Sequence, residues 1–170
     1  MAVMTSSSAG SRRVTLRPMT AAEFDIWAVA AIAAYASDVA TATGEALEAT
    51  TARAQEQFPQ LLPDGVDTAG TWLLNIVDGD GADVGTLWLG PHPSNPDGMY
   101  VWDIVIAEQH RGSGLGRAAM LAAEELAARE GRAEIGLNVF GYNQRAQQLY
   151  ASLGYRVVSS TMTKPLSPGP

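Results

Sequence analysis

Residues 99–117, MYVWDIVIAEQHRGSGLGR, constrain the fold more than any other part of the sequence. They begin with a β-prone run that is almost entirely apolar, which is typical of a central strand buried on both faces. Three glycines within five residues follow, and apolar spacing then predicts a helix over residues 115–130. A glycine loop at a helix start leaves backbone N–H groups free to bind an anion. The segment therefore predicts either a pyrophosphate cradle or a tight turn without a ligand.

Two familiar phosphate-binding loops do not fit this glycine pattern. A Walker A loop ends in Gly-Lys followed by Ser or Thr, whereas this loop continues as Gly116-Arg117-Ala118. A dinucleotide-binding unit has GxGxxG and an acidic residue about 20 positions later. Here the pattern is GxGxG, and it lies two-thirds of the way along the chain. Arg111 and Arg117 flank the loop and are able to pair with phosphate.

The periodicity elsewhere predicts one mixed α/β domain over residues 14–164, with flexible tails at residues 1–13 and 165–170. Thr20 and Glu23 have the spacing of a capping box that opens the first helix. The predicted order is β-α-α-β-β-β-α-β-α-β, with an irregular loop over residues 90–98. The predicted strands cover residues 14–19, 71–77, 83–89, 99–106, 134–140 and 155–163. The other predicted helices cover residues 46–62 and 115–130, and a last one is capped by Asn143.

Charge and cysteine content exclude several classes of function. The chain has 18 acidic and 11 basic residues and a net charge of −7, which argues against binding nucleic acid or an anionic membrane. It has no cysteine, so thiolate metal sites and cysteine nucleophiles are excluded, and two histidines are too few for a histidine-rich metal centre. The longest apolar run, residues 27–36, is too short to span a bilayer, and residues 1–13 lack the core of a signal peptide. We therefore expect a soluble cytoplasmic protein.

A second segment, residues 137–155, reads LNVFGYNQRAQQLYASLGY. Together with the glycine loop it resembles the GCN5-related N-acetyltransferase (GNAT) superfamily. In that family a strand leads to Arg/Gln-x-x-Gly-x-Gly/Ala, and a later strand leads to Asn-x-x-Ala, Leu-Tyr and Gly-Phe/Tyr. The matching stretches here are QHRGSG at 109–114, NQRA at 143–146, Leu149-Tyr150 and Gly154-Tyr155. The resemblance implies the α+β acyl-CoA N-acyltransferase fold, with a mixed, mostly antiparallel central sheet flanked by about four helices.

The resemblance also implies acetyl-CoA as the acyl donor and no metal. The backbone of Ile104, Val105 and Ile106 would pair with the pantetheine arm as an added strand does. Asn143, with Ala146 of the same motif, would contact the cofactor. The backbone N–H groups implied to hold the pyrophosphate are those of Arg111, Gly112, Ser113, Gly114, Leu115, Gly116 and Arg117.

The implied general acid is Tyr150, which would protonate the leaving thiolate. A thiol with a pKa of about 8.5 and a phenol with a pKa of about 10 are close enough for that transfer. Periodicity alone fits a core tyrosine equally well. Some family members have a Glu that acts as the general base at the position of Asn138 in this chain. Asn138 cannot act as a base. Glu108 and His110 fit solvated loop residues.

The candidate general base is Asp103, because an ionisable group in an apolar strand is costly unless it has a partner. Deprotonating a lysine-like amine at pH 7 costs about 4.6 kcal/mol, so a base is valuable for such a substrate. The alternative role of Asp103 is a structural carboxylate that pairs with an arginine or caps a helix. Strand alternation places it on the face opposite Trp102 and Ile104.

The candidate acceptor residues are Tyr35, Asp38 and Trp102, with Glu45 as a further possibility. A core aromatic and solvated charges explain the same residues equally well. Residues 19–110 contain 14 acidic residues and one arginine, which suits a cationic amine but also serves solubility. The bases are concentrated in the segments on either side.

The leading hypothesis is an enzyme that transfers an acetyl group directly to a primary amine of a small molecule or peptide. Transfer is expected to be direct because no cysteine is present to carry an acyl group. The alternative is a non-catalytic or sensory module that binds CoA or acyl-CoA. A dinucleotide-binding oxidoreductase fragment is disfavoured by the glycine spacing. The sequence leaves the oligomeric state open between monomer and homodimer.

Overall fold

The structure, a computed structural model, describes residues 13–164 and Leu166. Within these residues, a five-stranded sheet in the order β1-β2-β3-β4-β5 is flanked by four α-helices. The strands are β1 (Thr15–Pro18), β2 (Trp72–Val77), β3 (Asp83–His92), β4 (Asn95–Ile106) and β5 (Glu134–Leu137). The α-helices are α1 (Ala21–Thr43), α2 (Leu47–Leu61), α3 (Leu115–Arg129) and α4 (Gln144–Ser152). Neighbouring strands are antiparallel except for β5, which is parallel to β4, so the expected mixed and mostly antiparallel fold is confirmed.

The sheet separates two hydrophobic clusters, because alternate strand residues point to opposite faces. On one face α1 and α2 cover the α1-side cluster, which is formed by Met19, Trp27, Leu62, Leu73 and Trp88. On the other face α3 covers the α3-side cluster, whose fully buried members include Ile76, Leu87, Met99, Ala119 and Met120. Tyr150 and Leu153 of α4 pack against this second cluster. The strand β4 therefore lies between the two layers, as the sequence predicts.

The first helix begins as the capping-box spacing predicts. The Thr20 hydroxyl accepts from the Glu23 N–H at 3.3 Å, and the Glu23 carboxylate accepts from the Thr20 N–H at 2.7 Å. The helix α1 has 23 residues and is longer than the apolar run of residues 27–36 within it. By length and composition it could cross a membrane. Such a helix is weak evidence for a span, since helices that cover a soluble core pass the same test. Trp27 and Ala36 of α1 are buried against the protein.

Three of the predicted elements differ in the structure. The loop expected over residues 90–98 is instead a hairpin, because β3 continues to His92 and β4 begins at Asn95. Pro91 is tolerated there because β2 ends its pairing at Leu89, so the missing N–H has no strand to reach on that side. The strand β5 ends at Leu137 rather than at residue 140. Residues 155–163, expected as a last strand, have no regular secondary structure. The predicted tails, apart from Arg13 and Leu166, lie outside the described residues.

Candidate functional site

The strands β4 and β5 separate partway along the sheet. They pair from Gly98 and Glu134 as far as Val101 and Leu137, after which β4 continues to Ile106 paired only with β3. The last five residues of β4 therefore have no strand on the β5 side among the described residues, and of their carbonyls that of Ile106 accepts a side-chain hydrogen bond from Arg111. Val105 in this stretch is 39% exposed. A free strand edge is able to accept an extended ligand by added-strand pairing.

A β-bulge at Trp102 changes the direction of the side chains at the start of this free edge. Val101 pairs with Leu89 and Asp103 pairs with Trp88, so Trp102 is the extra residue. Trp102 and Asp103 therefore both lie on the α1 face. The expectation that they point to opposite faces was wrong, because regular alternation fails at a bulge.

Beyond β4, the glycine loop turns the chain into α3. Gly112 and Gly114 have φ values of +78° and +88°, which favour glycine over residues with side chains. Gly114 is the N-cap residue of α3 and has no side chain to cap the helix. The first N–H groups of α3 are thus left for solvent or a ligand. A Cβ atom at Gly114 would meet nothing within 4 Å, so open space adjoins this helix start.

Side chains around the loop hold its shape. Arg111 Nε donates to the carbonyl of Ile106 at 2.9 Å, and the Ser113 hydroxyl donates to the carbonyl of His110 at 2.6 Å. Arg117 bonds to the hydroxyl of Ser152 on α4. Arg145 lies over the loop, with Nη2 3.4 Å from the position of a Cβ on Gly112. Arg111 and Arg117, predicted to pair with phosphate, thus lie around one loop together with Arg145.

Close packing joins α3, α4 and β4 next to the loop. A Cβ on Gly116 would be 3.6 Å from Leu149 and 3.8 Å from Ile106. The first turn of α4 is fixed by Asn143, whose Oδ1 accepts from the N–H of Ala146 at 3.1 Å. The capping role predicted for Asn143 is confirmed. Its amide nitrogen makes no hydrogen bond within residues 13–164 and is free to donate to a ligand.

Tyr150 lies on the inner face of α4, half-buried against the α3-side cluster. Its ring centroid is 5.8 Å from that of Tyr155. Burial raises the pKa of Tyr150, and the charge of Asp103 raises it further. Its hydroxyl is therefore protonated at neutral pH, and the two predicted catalytic residues are near enough to interact electrostatically.

Asp103 lies beside Trp27 on the α1 face of the sheet. Burial raises the pKa of its carboxyl, the Trp27 indole acts in the opposite direction, and the charge of Asp38 raises the pKa again. The carboxylate lines a groove of about 450 Å³ between α1 and the sheet. Asn75 and Thr86 also line this groove, which therefore has a polar strip along its floor.

Two of the candidate acceptor residues, Tyr35 and Asp38, lie in the C-terminal half of α1, and the third, Trp102, lies on β4. The Tyr142 hydroxyl donates to Asp38 at 2.7 Å and so joins α1 to the loop before α4. Burial raises the pKa of Tyr100, and Tyr35 raises it further; the ring centroid of Tyr100 is 5.1 Å from that of Trp102. Burial, followed by the hydrogen bond to Asp38, raises the pKa of Tyr142 to about 12.

Other candidates lie elsewhere or serve the fold. Glu45 forms an ion pair with Arg53 of α2. Trp88 is buried in the α1-side cluster and stacks on Trp102 at 5.4 Å between ring centroids.

Tyr142 and Tyr100 were not singled out by the sequence. The only signal for Tyr142 is an aromatic residue directly before a helix cap. In residues 13–164 no three His, Asp or Glu side chains form a group that could hold a metal ion.

Comparison with known proteins places this geometry among the acetyltransferases. Residues 33–155 match the Acetyltransferase (GNAT) family, so the chain belongs to that family. It is 27% identical over 153 residues to the uncharacterised N-acetyltransferase YdgE of Bacillus subtilis, covering 89% of this chain and 98% of the relative. It is 28% identical over 154 residues to YycN of the same organism, covering 90% and 99%. With these relatives, the family assignment makes the protein an N-acetyltransferase, as the sequence motifs predict.

Solved structures agree with this assignment. The crystal structure of YycN from B. subtilis superposes with a TM-score of 0.85 at 28% identity, covering 91% of this chain and 99% of that one. The structure of AAC(6')-Iy in complex with the bisubstrate analogue CoA-S-monomethyl-acetylneamine has a TM-score of 0.56 at 13% identity, covering 92% and 99%. This second likeness is one of fold alone.

Proposed function

We propose that the protein transfers the acetyl group of acetyl-CoA directly to a primary amine of a small molecule or peptide, with Asp103 as base and Tyr150 as acid. The observation that carries the proposal is their placement. Tyr150 is half-buried on α4 next to the sheet, Asp103 lies on β4 where its edge becomes free, and the charge of Asp103 adds to burial in raising the pKa of Tyr150. AAC(6')-Iy, which shares the fold, is in complex with a CoA-containing analogue in its solved structure. This likeness supports acetyl-CoA as the proposed donor.

The residues around the free edge fit a CoA-type donor. The backbone of Ile104, Val105 and Ile106 would pair with the pantetheine arm. The N–H groups of the glycine loop and the first turn of α3 would hold the pyrophosphate, because they have no capping side chain and face open space. The oxygen of the Asn143 side chain accepts from the N–H of Ala146, and its amide hydrogens would be donated to the pantetheine arm. Acetyl-CoA supplies the activated thioester carbonyl.

Asp103 would remove a proton from the acceptor's ammonium group, directly or through water, so that the neutral amine can attack. Its raised pKa makes it a stronger base than an ordinary carboxylate. For an amine with a pKa of about 10.4 the deprotonation that it assists costs about 4.6 kcal/mol at pH 7, and for an α-amine of about 7.8 it costs about 1 kcal/mol. The contribution of Asp103 is therefore larger for an alkylamine acceptor.

Tyr150 would act at the sulfur. As the amine nitrogen bonds to the carbonyl carbon and the C–S bond breaks, the Tyr150 hydroxyl donates to the departing thiolate. The second proton, which the nitrogen loses to give the neutral amide, then passes to Tyr150 directly or through water and restores the phenol. The raised pKa of Tyr150 keeps the hydroxyl protonated until the thiolate departs. It also makes full proton transfer less favourable than for a free phenol, so the hydrogen bond to the thiolate carries much of the stabilisation.

The acceptor is proposed to bind at the C-terminal half of α1, where acidic and aromatic groups meet. Asp38 and Asp103 provide negative charge, and the rings of Tyr35 and Trp102 provide faces for a cation. A cationic amine fits this combination better than an acidic one does.

Thiol release from acetyl-CoA, measured with a panel of amines, tests the proposal. Turnover with a cationic amine is expected, with a large loss of kcat in Tyr150→Phe and in Asp103→Asn while CoA still binds. An unchanged kcat in Tyr150→Phe would show that the acid is another group. Tight binding of CoA, measured by calorimetry, with no turnover on any amine would favour the alternative of a sensory CoA-binding module.

A further inference from the structure

The groove between α1 and the sheet extends well beyond Asp103, the one residue of it that the proposed reaction uses. Its volume of about 450 Å³ falls within the range of small-molecule sites, about 300–1,000 Å³. The proposed acceptor residues Tyr35 and Asp38 lie further along α1, so this part of the groove has no role in the reaction as described. Its wall on α1 is apolar and is formed by Ile26, Trp27, Ala30, Ala31 and Ala34.

The floor of the groove contains a buried amide, that of Asn75 on β2. Its neighbours Leu74 and Ile76 pack into the α3-side cluster, so strand alternation turns Asn75 toward α1. Asn75 is 8% exposed, and its side chain makes no hydrogen bond within residues 13–164. A buried amide without a partner costs free energy, so its partner is expected to come from the groove itself, as a ligand or as ordered water.

The side chains beside Asn75 do not supply that partner. Arg17 lies opposite Asn75 on β1. Its guanidinium donates to Glu23 at 2.8 Å and to Asp83 at 3.1 Å, so it is already engaged. Thr86 lies opposite Asn75 on β3, and its hydroxyl makes no hydrogen bond to a described residue either. Asn75 and Thr86 therefore form a polar strip that faces the apolar wall of α1.

This polar strip lies at a defined spacing from Asp103. Thr86 is two residues from Trp88, which pairs with Asp103, and Asn75 is one strand further away. With about 3.3 Å per residue along a strand and about 4.8 Å between strands, the Cα atoms of Asp103 and Asn75 are about 12 Å apart. A molecule that has its amine at Asp103 and a second polar group at Asn75 must therefore be extended, with its apolar part against α1.

The charge of the groove indicates which second group fits. The carboxylates of Glu23, Asp83 and Asp103 line it, and the guanidinium of Arg17 offsets the charge of one of them. The remaining negative charge favours an ammonium group on the ligand and opposes a carboxylate. The side chain of Asn75 both donates and accepts, so its complement is a neutral group that does the same, such as an amide.

We propose that the acceptor is an extended primary amine with an apolar body and a neutral amide at its far end, and that Asn75 and Thr86 bind this amide. The inference rests on the proposed function, because it places the amine nitrogen at Asp103. The apolar body would lie against Ala30 and Ala34 of α1. A site built to hydrogen-bond such a group discriminates against an analogue without it, because the polar groups of the site are then left unpaired.

Acetyl transfer to three primary amines of similar length tests the inference: 6-aminohexanamide, heptylamine and 6-aminohexanoate. Wild type is expected to use 6-aminohexanamide with a kcat/KM at least roughly 10-fold above that for either of the others. Asn75→Leu should remove the preference over heptylamine and leave CoA affinity unchanged. This variant should melt no lower than wild type, because it loses no hydrogen bond and gains an apolar side chain. A purely structural asparagine would instead give a clear fall in Tm.

Thr50→Val is the matched control, because Thr50 is also a buried polar residue, at 2% exposure, but has a partner. Its hydroxyl donates to the carbonyl of Leu47 at 3.0 Å, so the variant should lower Tm and keep the preference for the amide. Ala30→Phe changes an exposed residue of the groove wall. It should raise KM for 6-aminohexanamide more than KM for ethylamine, which is too short to reach the polar strip.

The outcomes separate this inference from the proposed function. Turnover without a preference for the amide, or a preference that survives Asn75→Leu, would overturn the inference and leave the proposed function standing. No turnover of any amine would count against the proposed function. The groove is then tested by calorimetry with 6-aminohexanamide, where an affinity that is lost in Asn75→Leu supports the amide site and an equal affinity overturns it.

Discussion

Replacing Gly114 by leucine should separate the cost of an unfavourable backbone from the loss of a ligand site. Gly114 has φ +88°, and a Cβ there meets nothing within 4 Å, so the folding cost comes from the backbone alone. That cost is about 1–2 kcal/mol, which corresponds to a fall in Tm of roughly 2–8 °C for a chain of this size. The side chain also enters the open space at the start of α3. Losing one charge-assisted hydrogen bond to a phosphate would weaken CoA binding roughly 10- to 100-fold.

Gly44→Leu is the matched control for this substitution. Gly44 ends α1 with φ +77°, and a Cβ there also meets nothing within 4 Å. Thermal melting should show a similar loss of stability in both variants. Isothermal titration with CoA should show weaker binding only in Gly114→Leu. Equal CoA affinity in the two variants would refute the assignment of the loop as a phosphate cradle.

Three further substitutions test the site. Asn143→Ala removes the cap on the N–H of Ala146 and should cost about 0.5–2 kcal/mol in denaturant unfolding, whereas Asn143→Ser should keep the cap and lose only CoA affinity. Because burial raises the pKa of Asp103, the rate should rise with pH through that raised value, and Asp103→Asn should abolish this rise. The same variant should melt higher than wild type at neutral pH, where the buried charge is costly. This gain should vanish in acid, where the carboxyl is protonated; a gain that persists there would refute the burial argument. Tyr142→Phe breaks the hydrogen bond to Asp38 and should raise KM for a cationic amine without changing CoA affinity, so an unchanged KM would place the acceptor elsewhere.

Local signals in the sequence predicted much of the fold. The capping box of Thr20 and Glu23 and the cap at Asn143 depend on residues three positions apart, and both form as predicted. The glycines at 112 and 114 adopt positive φ, as their position before a helix suggests. The glycine loop could be located from sequence because its geometry is set by neighbouring residues.

Features that depend on distant contacts could not be predicted in this way. The bulge at Trp102 arises in the pairing of β4 with β3 and leaves no local mark, so strand alternation placed Asp103 on the wrong face. The contact of Tyr142 with Asp38 joins residues 104 positions apart. Residues 155–163 have the composition of a strand, but a strand forms only where another strand is available. Within residues 13–164 no strand pairs with them.

The aromatic cluster beside Asp103 gives the protein a natural optical reporter. The chain has four tryptophans, and three of them, Trp27, Trp88 and Trp102, form a connected group with centroid distances of 5.7 and 5.4 Å. Their emission depends on the polarity and electric field at the junction of α1 and β4. An acceptor that settles there changes both, whereas events on the opposite face of the sheet do not reach these rings directly. If the acceptor binds there as proposed, intrinsic fluorescence is expected to report its binding without any label, over the emission of Trp72 on the α3 side of the sheet.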